Sequence, residues 1–215
     1  MTDNYWDDLM GDDDGAGNYM ATYGEGPGSA TRIMLGHFIN HGESVLDVGC
    51  GPGWNMDHFA QFGPALSIYK GCDYSNRFVR VANKRRKEER TENFTTIKIL
   101  PFELQDCRKL EEKDNSWDVV IIQDCLEHTN GYEQPIKEAM RVARKRVILC
   151  FWKAFNTNGQ DDINDDGKDG YGATYDQARL EKFIESFGYG IHDTETPPDA
   201  NRWHKYYIID KEEPK

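Results

Sequence analysis

The stretch Val45-Leu-Asp-Val-Gly-Cys-Gly-Pro-Gly-Trp54 decides the fold. An apolar strand over 44–48 carries an acid, Asp47, towards its end. Glycines follow at alternate positions, Gly49, Gly51 and Gly53, and a helix is predicted over 55–62. Glycines at a strand-to-helix turn open backbone angles closed to other residues and let a ligand come close. They also leave the first N–H groups of the helix facing whatever sits there. A dinucleotide fingerprint, G-x-G-x-x-G, would need its third glycine at position 54, where this chain has Trp54. A nicotinamide dinucleotide is therefore disfavoured. No Gly-Lys-Ser/Thr follows, which excludes a triphosphate P-loop.

Outward from this loop, short apolar runs alternate with helical stretches. Strands are predicted over 44–48, 66–71, 94–100, 117–122 and 146–151, and helices over 29–40, 55–62, 76–90, 132–144 and 176–187. Such alternation means a parallel α/β sheet with right-handed crossovers. The run at 117–122 is almost wholly apolar, so it belongs at the centre with both faces covered. Residues 156–172 read as a long polar loop with five aspartates, Asp161, Asp162, Asp165, Asp166 and Asp169. Two strand-like runs, 189–194 and 203–209, close the chain.

The chain has 215 residues, enough for one domain that hides roughly 70% of its unfolded surface. Its 26 Lys+Arg against 38 Asp+Glu give a net charge of −12, which argues against a general coat for nucleic acid. Seven of the acids lie in residues 1–31 with no Lys or Arg, so 1–28 reads as a flexible acidic arm. One domain is expected over 29–215: a ligand-binding half at 45–151, an Asp-rich loop or lid at 153–173, and a terminal helix and hairpin at 174–215. No run approaches the roughly 20 apolar residues of a membrane span. The acidic start does not resemble a secretory or transit peptide, so a soluble, cytoplasmic protein is expected. Five cysteines with no C-x-x-C pair suggest reduced thiols, not a disulfide framework or a zinc ribbon, and no metal centre is expected. The run Asp162-Ile-Asn-Asp-Asp-Gly167 opens like a calcium loop, but its twelfth position is Ala173 where a bidentate Glu belongs.

Acid-x-Gly-x-Gly-x-Gly after a first strand resembles motif I of the class I S-adenosylmethionine-dependent methyltransferases. Asp73 follows Gly53 by twenty residues, Asp106 precedes Trp117-Asp-Val-Val by eleven, and Gln123-Asp-Cys-Leu-Glu-His128 ends the fourth strand. That ending is similar to the Leu-Glu-His of small-molecule and quinone methyltransferases. The resemblance implies a Rossmann-like, doubly wound sheet of seven strands, mostly parallel with a C-terminal antiparallel hairpin and helices on both faces. It implies S-adenosylmethionine as cofactor, with S-adenosylhomocysteine as product. Asp47, Gly49, Gly51 and Gly53 would form the cofactor loop. Asp73 would take the ribose hydroxyls, since a carboxylate accepts two hydrogen bonds from a vicinal diol. Tyr74 would lie against the adenine and Asp106 near its amino group. Pro101 leaves the register of Asp106 open by a few residues, and Glu103 competes for that contact. Gln123 and Asp124 would meet the methionine end or the acceptor, and Asp124 and His128 are the catalytic candidates. Tyr23, with Tyr19, would close over the donor from the arm. Trp152, Phe155 and Trp203 would wall an acceptor pocket.

These implications point to methyl transfer onto an O or N atom of a small molecule. The helix over 76–90, with Arg77, Arg80, Lys84, Arg85, Arg86, Lys87 and Arg90 against two glutamates, keeps an RNA or protein acceptor open. A non-catalytic S-adenosylmethionine-binding partner subunit is the third alternative. Aminopropyl transfer lacks its acidic polyamine-gripping pattern. Deleting residues 1–24 should weaken donor binding or turnover; kinetics identical to those of the full chain would remove the arm from the site.

Overall fold

The structure is a computed structural model that describes residues 5–10, 29–89, 97–152, 155–165, 170–195 and 204–214. Its centre is β1 (Ser44–Val48), hydrogen-bonded in parallel to β2 (Ile68–Asp73) on one side and β5 (Trp117–Gln123) on the other. All seven residues of β5 are buried, as its apolar run requires. β6 (Ala143–Phe151) continues the sheet parallel to β5. Beyond it lies β10 (Lys205–Pro214), antiparallel to both β6 and the edge strand β9 (Tyr189–Glu195). The last strand of the chain is thus inserted between its two neighbours. The order reverses between β1 and β5, the switch point at which open α/β sheets leave a crevice at the carboxyl ends of their strands.

Alternation along the strands sorts the core into two layers. Leu46, Val48, Val120 and Ile122 share one layer with Ile136, Ala139 and Met140 of α5 (Glu133–Val142) and Leu180 and Ile184 of α6 (Gln177–Glu185). Val45, Val119 and Ile121 belong to the other. Against them pack Leu35 of α2 (Ala30–His37), Met56 and Phe59 of α3 (Trp54–Gln61), and Val79 and Ala82 of α4 (Asn76–Glu89). Ser29 caps α2 and Asp176 caps α6, each side chain accepting the N–H three residues on.

Three expectations change. The third strand is not continuous. Its described part is β3 (Lys98–Ile99), then Pro101 interrupts it, and β4 (Glu103–Leu104) resumes pairing with β2. The main sheet therefore has eight segments in seven positions. Between the two pieces, Phe102 is buried against Gly71, where a Cβ would stand 2.4 Å from its ring. The polar loop at 156–172 contains an antiparallel hairpin, β7 (Asp162–Asp165) with β8 (Tyr171–Thr174). Asp162 and Asp165 are exposed, while Ile163 pairs with the fully buried Ala173, so the apolar face of the hairpin turns to the core. Residues 166–169 of the calcium-like run lie outside the described residues, and the described ones hold no cluster of three or more potential metal ligands. Finally, part of the acidic arm is a docked helix, α1 (Tyr5–Met10). Among the described residues no helix is long and apolar enough to cross a membrane.

The Phe102–Gly71 contact sets the level of everything after Pro101. Gly71→Ala should cost about 1–3 kcal/mol through overpacking, read by chemical denaturation. Gly172→Ala, with nothing within 4 Å of the added methyl, should stay within about 0.5 kcal/mol of the parent.

Candidate functional site

The glycine loop lies at the carboxyl ends of β1 and β2, over a cavity of about 360 Å³. Gly49, Gly51 and Gly53 have φ of 72°, 52° and 90°. The N–H groups of Gly49 and Cys50 both donate to the Cys72 carbonyl (2.8 and 3.1 Å), which pins the loop to the end of β2. A Cβ at Gly49 would stand 2.5 Å from Cys125 Sγ, so this position needs glycine both for its angle and for space.

Asp73, the last residue of β2, faces the cavity. Its Oδ2 accepts the Gly51 N–H and its Oδ1 the Ser75 N–H, each at 2.8 Å. Burial pushes its carboxyl up to about 6 despite these bonds. Asp47 behaves differently from the expectation. Its carboxylate is buried behind the loop, accepting from the Tyr69 hydroxyl (2.5 Å) and the Asn55 amide (3.2 Å), and it is not in the cavity wall. Burial raises it to about 6 as well. The neighbour that does line the cavity is Asn55, on the first turn of α3. Gly53 is likewise outside the wall, set against Ala82 and Phe102.

Tyr74, Asp106, Gln123, Asp124 and His128 all reach the cavity, together with Gly49, Gly51 and Asp73. Tyr74, which lines the cavity, is 39% exposed. Asp106 follows β4 directly, since the Gln105 N–H donates to the Asp73 carbonyl. Burial pushes its carboxyl up, but the Arg108 guanidinium and backbone N–H outweigh this and hold it below the usual carboxylate range. Glu103, its competitor, pairs instead with Lys70 at 2.7 Å and is absent from the wall. Asp124 takes a left-handed φ of 51°, rare for a side-chain-bearing residue. Gln123 Nε2 donates to it at 3.3 Å, and His204 Nε2 stands 3.6 Å from its other oxygen.

His128 Nδ1 lies 3.2 Å from the Tyr171 carbonyl of β8. A carbonyl only accepts, so this contact places a ring proton on Nδ1. The Trp6 ring of α1 meets this imidazole edge-on at 4.7 Å, and Trp152 lies 6.2 Å away. Of the expected acceptor walls, Trp152 lines the cavity, whereas Phe155 turns into the core beside Phe151 at 5.1 Å. Tyr19, Tyr23 and Trp203 lie outside the described residues. In the basic helix, Arg85 is turned inward, paired with Asp57 and stacked 4.0 Å over the Trp54 ring.

Arg32, Trp54, Asn55, Arg108 and Tyr171 also line the cavity and were not anticipated. Trp54 and Asn55 could have been read from their place directly after the glycines. Tyr171 and His204 carry no local signal, because they reach the site through tertiary folding. Two buried acceptor atoms in the wall, Asn55 Oδ1 and Gln123 Oε1, and one buried donor, Trp54 Nε1, have no hydrogen-bond partner among the described residues. A ligand bearing hydroxyl or ammonium donors and an acceptor group would satisfy them. S-adenosylmethionine has a ribose diol, an ammonium and a carboxylate, so the residues present suit it.

Residues 46–151 match the methyltransferase domain family. The chain is 32% identical to the demethylmenaquinone methyltransferase of Tropheryma whipplei (strain Twist) over 122 residues, 54% of this chain and 44% of that protein. It is also 32% identical to the norajmaline N-methyltransferase of Rauvolfia serpentina over 102 residues, 47% of this chain and 32% of that one. The match thus spans less than half the length of these curated relatives. A phosphoethanolamine N-methyltransferase of Haemonchus contortus, solved with phosphomonomethylethanolamine and S-adenosylhomocysteine, superposes with a TM-score of 0.69 at 16% identity, covering 94% of this chain and 58% of the other. With its glycine loop, its acid-ended second strand and this sheet order, the chain belongs to the class I S-adenosylmethionine-dependent methyltransferases.

Proposed function

We propose that the protein transfers a methyl group from S-adenosylmethionine to an O or N atom of a small-molecule acceptor, releasing S-adenosylhomocysteine. The observation that carries this reading is that one cavity joins the glycine loop and Asp73 to a histidine of defined tautomer. When bound, the sulfonium supplies an electrophilic methyl group. The chain's own residues then have three tasks: to hold the donor, to align the acceptor, and to accept the acceptor's proton.

Asp73 suits the ribose hydroxyls, Tyr74 the adenine face, and Asp106 the adenine amino group. Gln123, Asn55 and Trp54 bring unsatisfied polar atoms to the remaining, methionine end. His128 holds its proton on Nδ1 through the Tyr171 carbonyl, which leaves Nε2 as the base. Asp124 lies beside His204 and Gln123, so it shapes the loop under the donor and is not itself assigned the proton transfer. Trp6 and Trp152 exclude water from the acceptor side. Relatives named for norajmaline and demethylmenaquinone, and a fold neighbour holding phosphomonomethylethanolamine, support a small acceptor. The inward turn of Arg85 weakens the alternative of an RNA groove on the basic helix, which a steep salt dependence of RNA affinity would restore.

Calorimetric titration with S-adenosylmethionine and S-adenosylhomocysteine, with NAD as the negative control, tests the donor site. Binding to the folded protein should weaken at least about ten-fold in Asp73→Ala, the loss of charge-assisted bonds of roughly 1.5–3 kcal/mol. Absence of binding to the parent chain would sink the reading. The sign of the pH dependence follows from the raised Asp73 carboxyl. Above about 6 it is an ionised acceptor, and as pH falls through about 6 it takes a proton and loses that capacity. Affinity for S-adenosylhomocysteine should therefore drop between pH 8 and pH 5, and Asp73→Asn should flatten the dependence. His128→Gln should lower turnover of an acceptor hydroxyl by about 100-fold while leaving donor affinity in place; equal turnover would remove His128 as the base.

A further inference from the structure

We infer that the acceptor is a flat, uncharged aromatic alcohol, methylated on oxygen and laid against the indoles of Trp6 and Trp152 beside His128. This rests on the methyltransferase reading above and narrows its acceptor. Three observations on the His128 side of the cavity support it.

The first is the ring wall. Trp6, Phe78, His128, Trp152 and Tyr171 all line the cavity. His128 neighbours both indoles, at 4.7 Å and 6.2 Å between centroids, and Trp6 neighbours Phe78 at 6.2 Å. Adjacent rings of this kind offer an extended apolar surface suited to another ring. The wall is also braced. Asp7, next to Trp6, accepts from the Ser75 hydroxyl (2.5 Å) and from the Arg77 N–H (3.0 Å), which ties α1 to the start of α4. Ser75 in turn donates its own N–H to Asp73, so the bracing of Trp6 and the donor acid share one residue.

The second observation is charge. Among the described residues the cavity's Arg side chains are Arg32 and Arg108. Arg108 is held by both oxygens of Asp106, and Arg32 lies by Ser29 and Asp47 on the donor side. Among the described residues, then, neither arginine of the cavity wall is an uncommitted counter-charge for a phosphate or carboxylate on the acceptor.

The third is the match of base to acid. A neutral imidazole, with an ordinary conjugate-acid value near 6.5, removes a phenolic proton (ordinary value near 10) far more readily than that of an aliphatic alcohol. In the step so assigned, the ring O–H proton passes to His128 Nε2. The oxygen pair forms the new O–CH₃ bond, and the S–CH₃ bonding pair leaves with sulfur in S-adenosylhomocysteine.

The test uses the full chain saturated with S-adenosylhomocysteine and three probes: 2,3-dihydroxynaphthalene, cyclohexane-1,2-diol and phosphoethanolamine. Indole fluorescence reads binding, and labelled methyl from S-adenosylmethionine reads transfer. The naphthalenediol should bind at least about ten-fold more tightly than either of the others, quench the indoles, and be the probe that is methylated. Trp152→Ala and Trp6→Ala should each remove most of that preference, and Trp152→Phe should retain it, with S-adenosylhomocysteine affinity unchanged in both Trp152 variants. His128→Gln should bind the naphthalenediol but not methylate it. Equal binding of the aliphatic diol, preference for phosphoethanolamine, or loss of both indoles without effect would overturn the aromatic acceptor while leaving the donor site standing. Failure of S-adenosylhomocysteine itself to bind would instead overturn the methyltransferase reading and the acceptor with it.

Discussion

Two carboxylates at the ends of adjacent parallel strands, Asp47 on β1 and Asp73 on β2, constrain everything around them. Both are buried, and burial raises both to about 6. Relative to an ordinary carboxyl near 3.8, such a shift costs roughly 3 kcal/mol of stability per group once both states are ionised. The sign follows from the raised folded value: the penalty is absent below about 3.8, grows through about 6, and is constant above it. The fold keeps these charges by surrounding them with donors, the Tyr69 hydroxyl and Asn55 amide for Asp47, the Gly51 and Ser75 N–H groups for Asp73. The glycine loop is therefore more than a gap for a ligand. Its left-handed angles point one N–H at Asp73 while two others hold the Cys72 carbonyl.

This division of labour explains why Asp47 and Asp73 are alike in sequence and different in space. Each closes or nearly closes an apolar strand, and each precedes a turn. Asp47 is the fourth of five residues in β1, and its carboxylate accepts from Tyr69 of β2 beneath the loop. Asp73 is the last of six in β2 and faces the cavity. Asp47 stands opposite Gly71, so Asp73 lies two residues further along the paired strands, and hydrophobic alternation, with its period of two, does not distinguish the supporting acid from the ligand-facing one. The central sheet was legible for the opposite reason. Runs such as 117–122 have one stable location, buried on both faces, and no competing pattern.

The less legible elements all depend on contacts distant in sequence. Pro101 marked a break in the third strand, but the reason the chain rejoins β2 is Phe102 entering the space left by Gly71. Aspartates made 156–172 read as loop, although Ile163 of β7 pairs with the buried Ala173 of β8. The acidic composition of the arm concealed α1, whose Asp7 docks on Ser75 and Arg77 and whose Trp6 reaches Phe78 and His128. In each case the deciding partner lies across the fold and not along the local sequence.

Two of these elements, α1 and the β7–β8 hairpin, adjoin His128. The glycine-loop side of the cavity is built from strand ends and backbone N–H groups, features fixed by the central sheet. The His128 side is built from parts added to that sheet: a helix before it, the turn Leu126–His128 after β5, and a hairpin beyond β6. The proton position on His128 is set by a carbonyl of that hairpin, 43 residues along the chain. Changing the hairpin can therefore alter which nitrogen of His128 carries the proton without touching the glycine loop or Asp73. A fold divided in this way can keep one methyl donor while its acceptor changes, because the two halves of the cavity answer to different parts of the sequence.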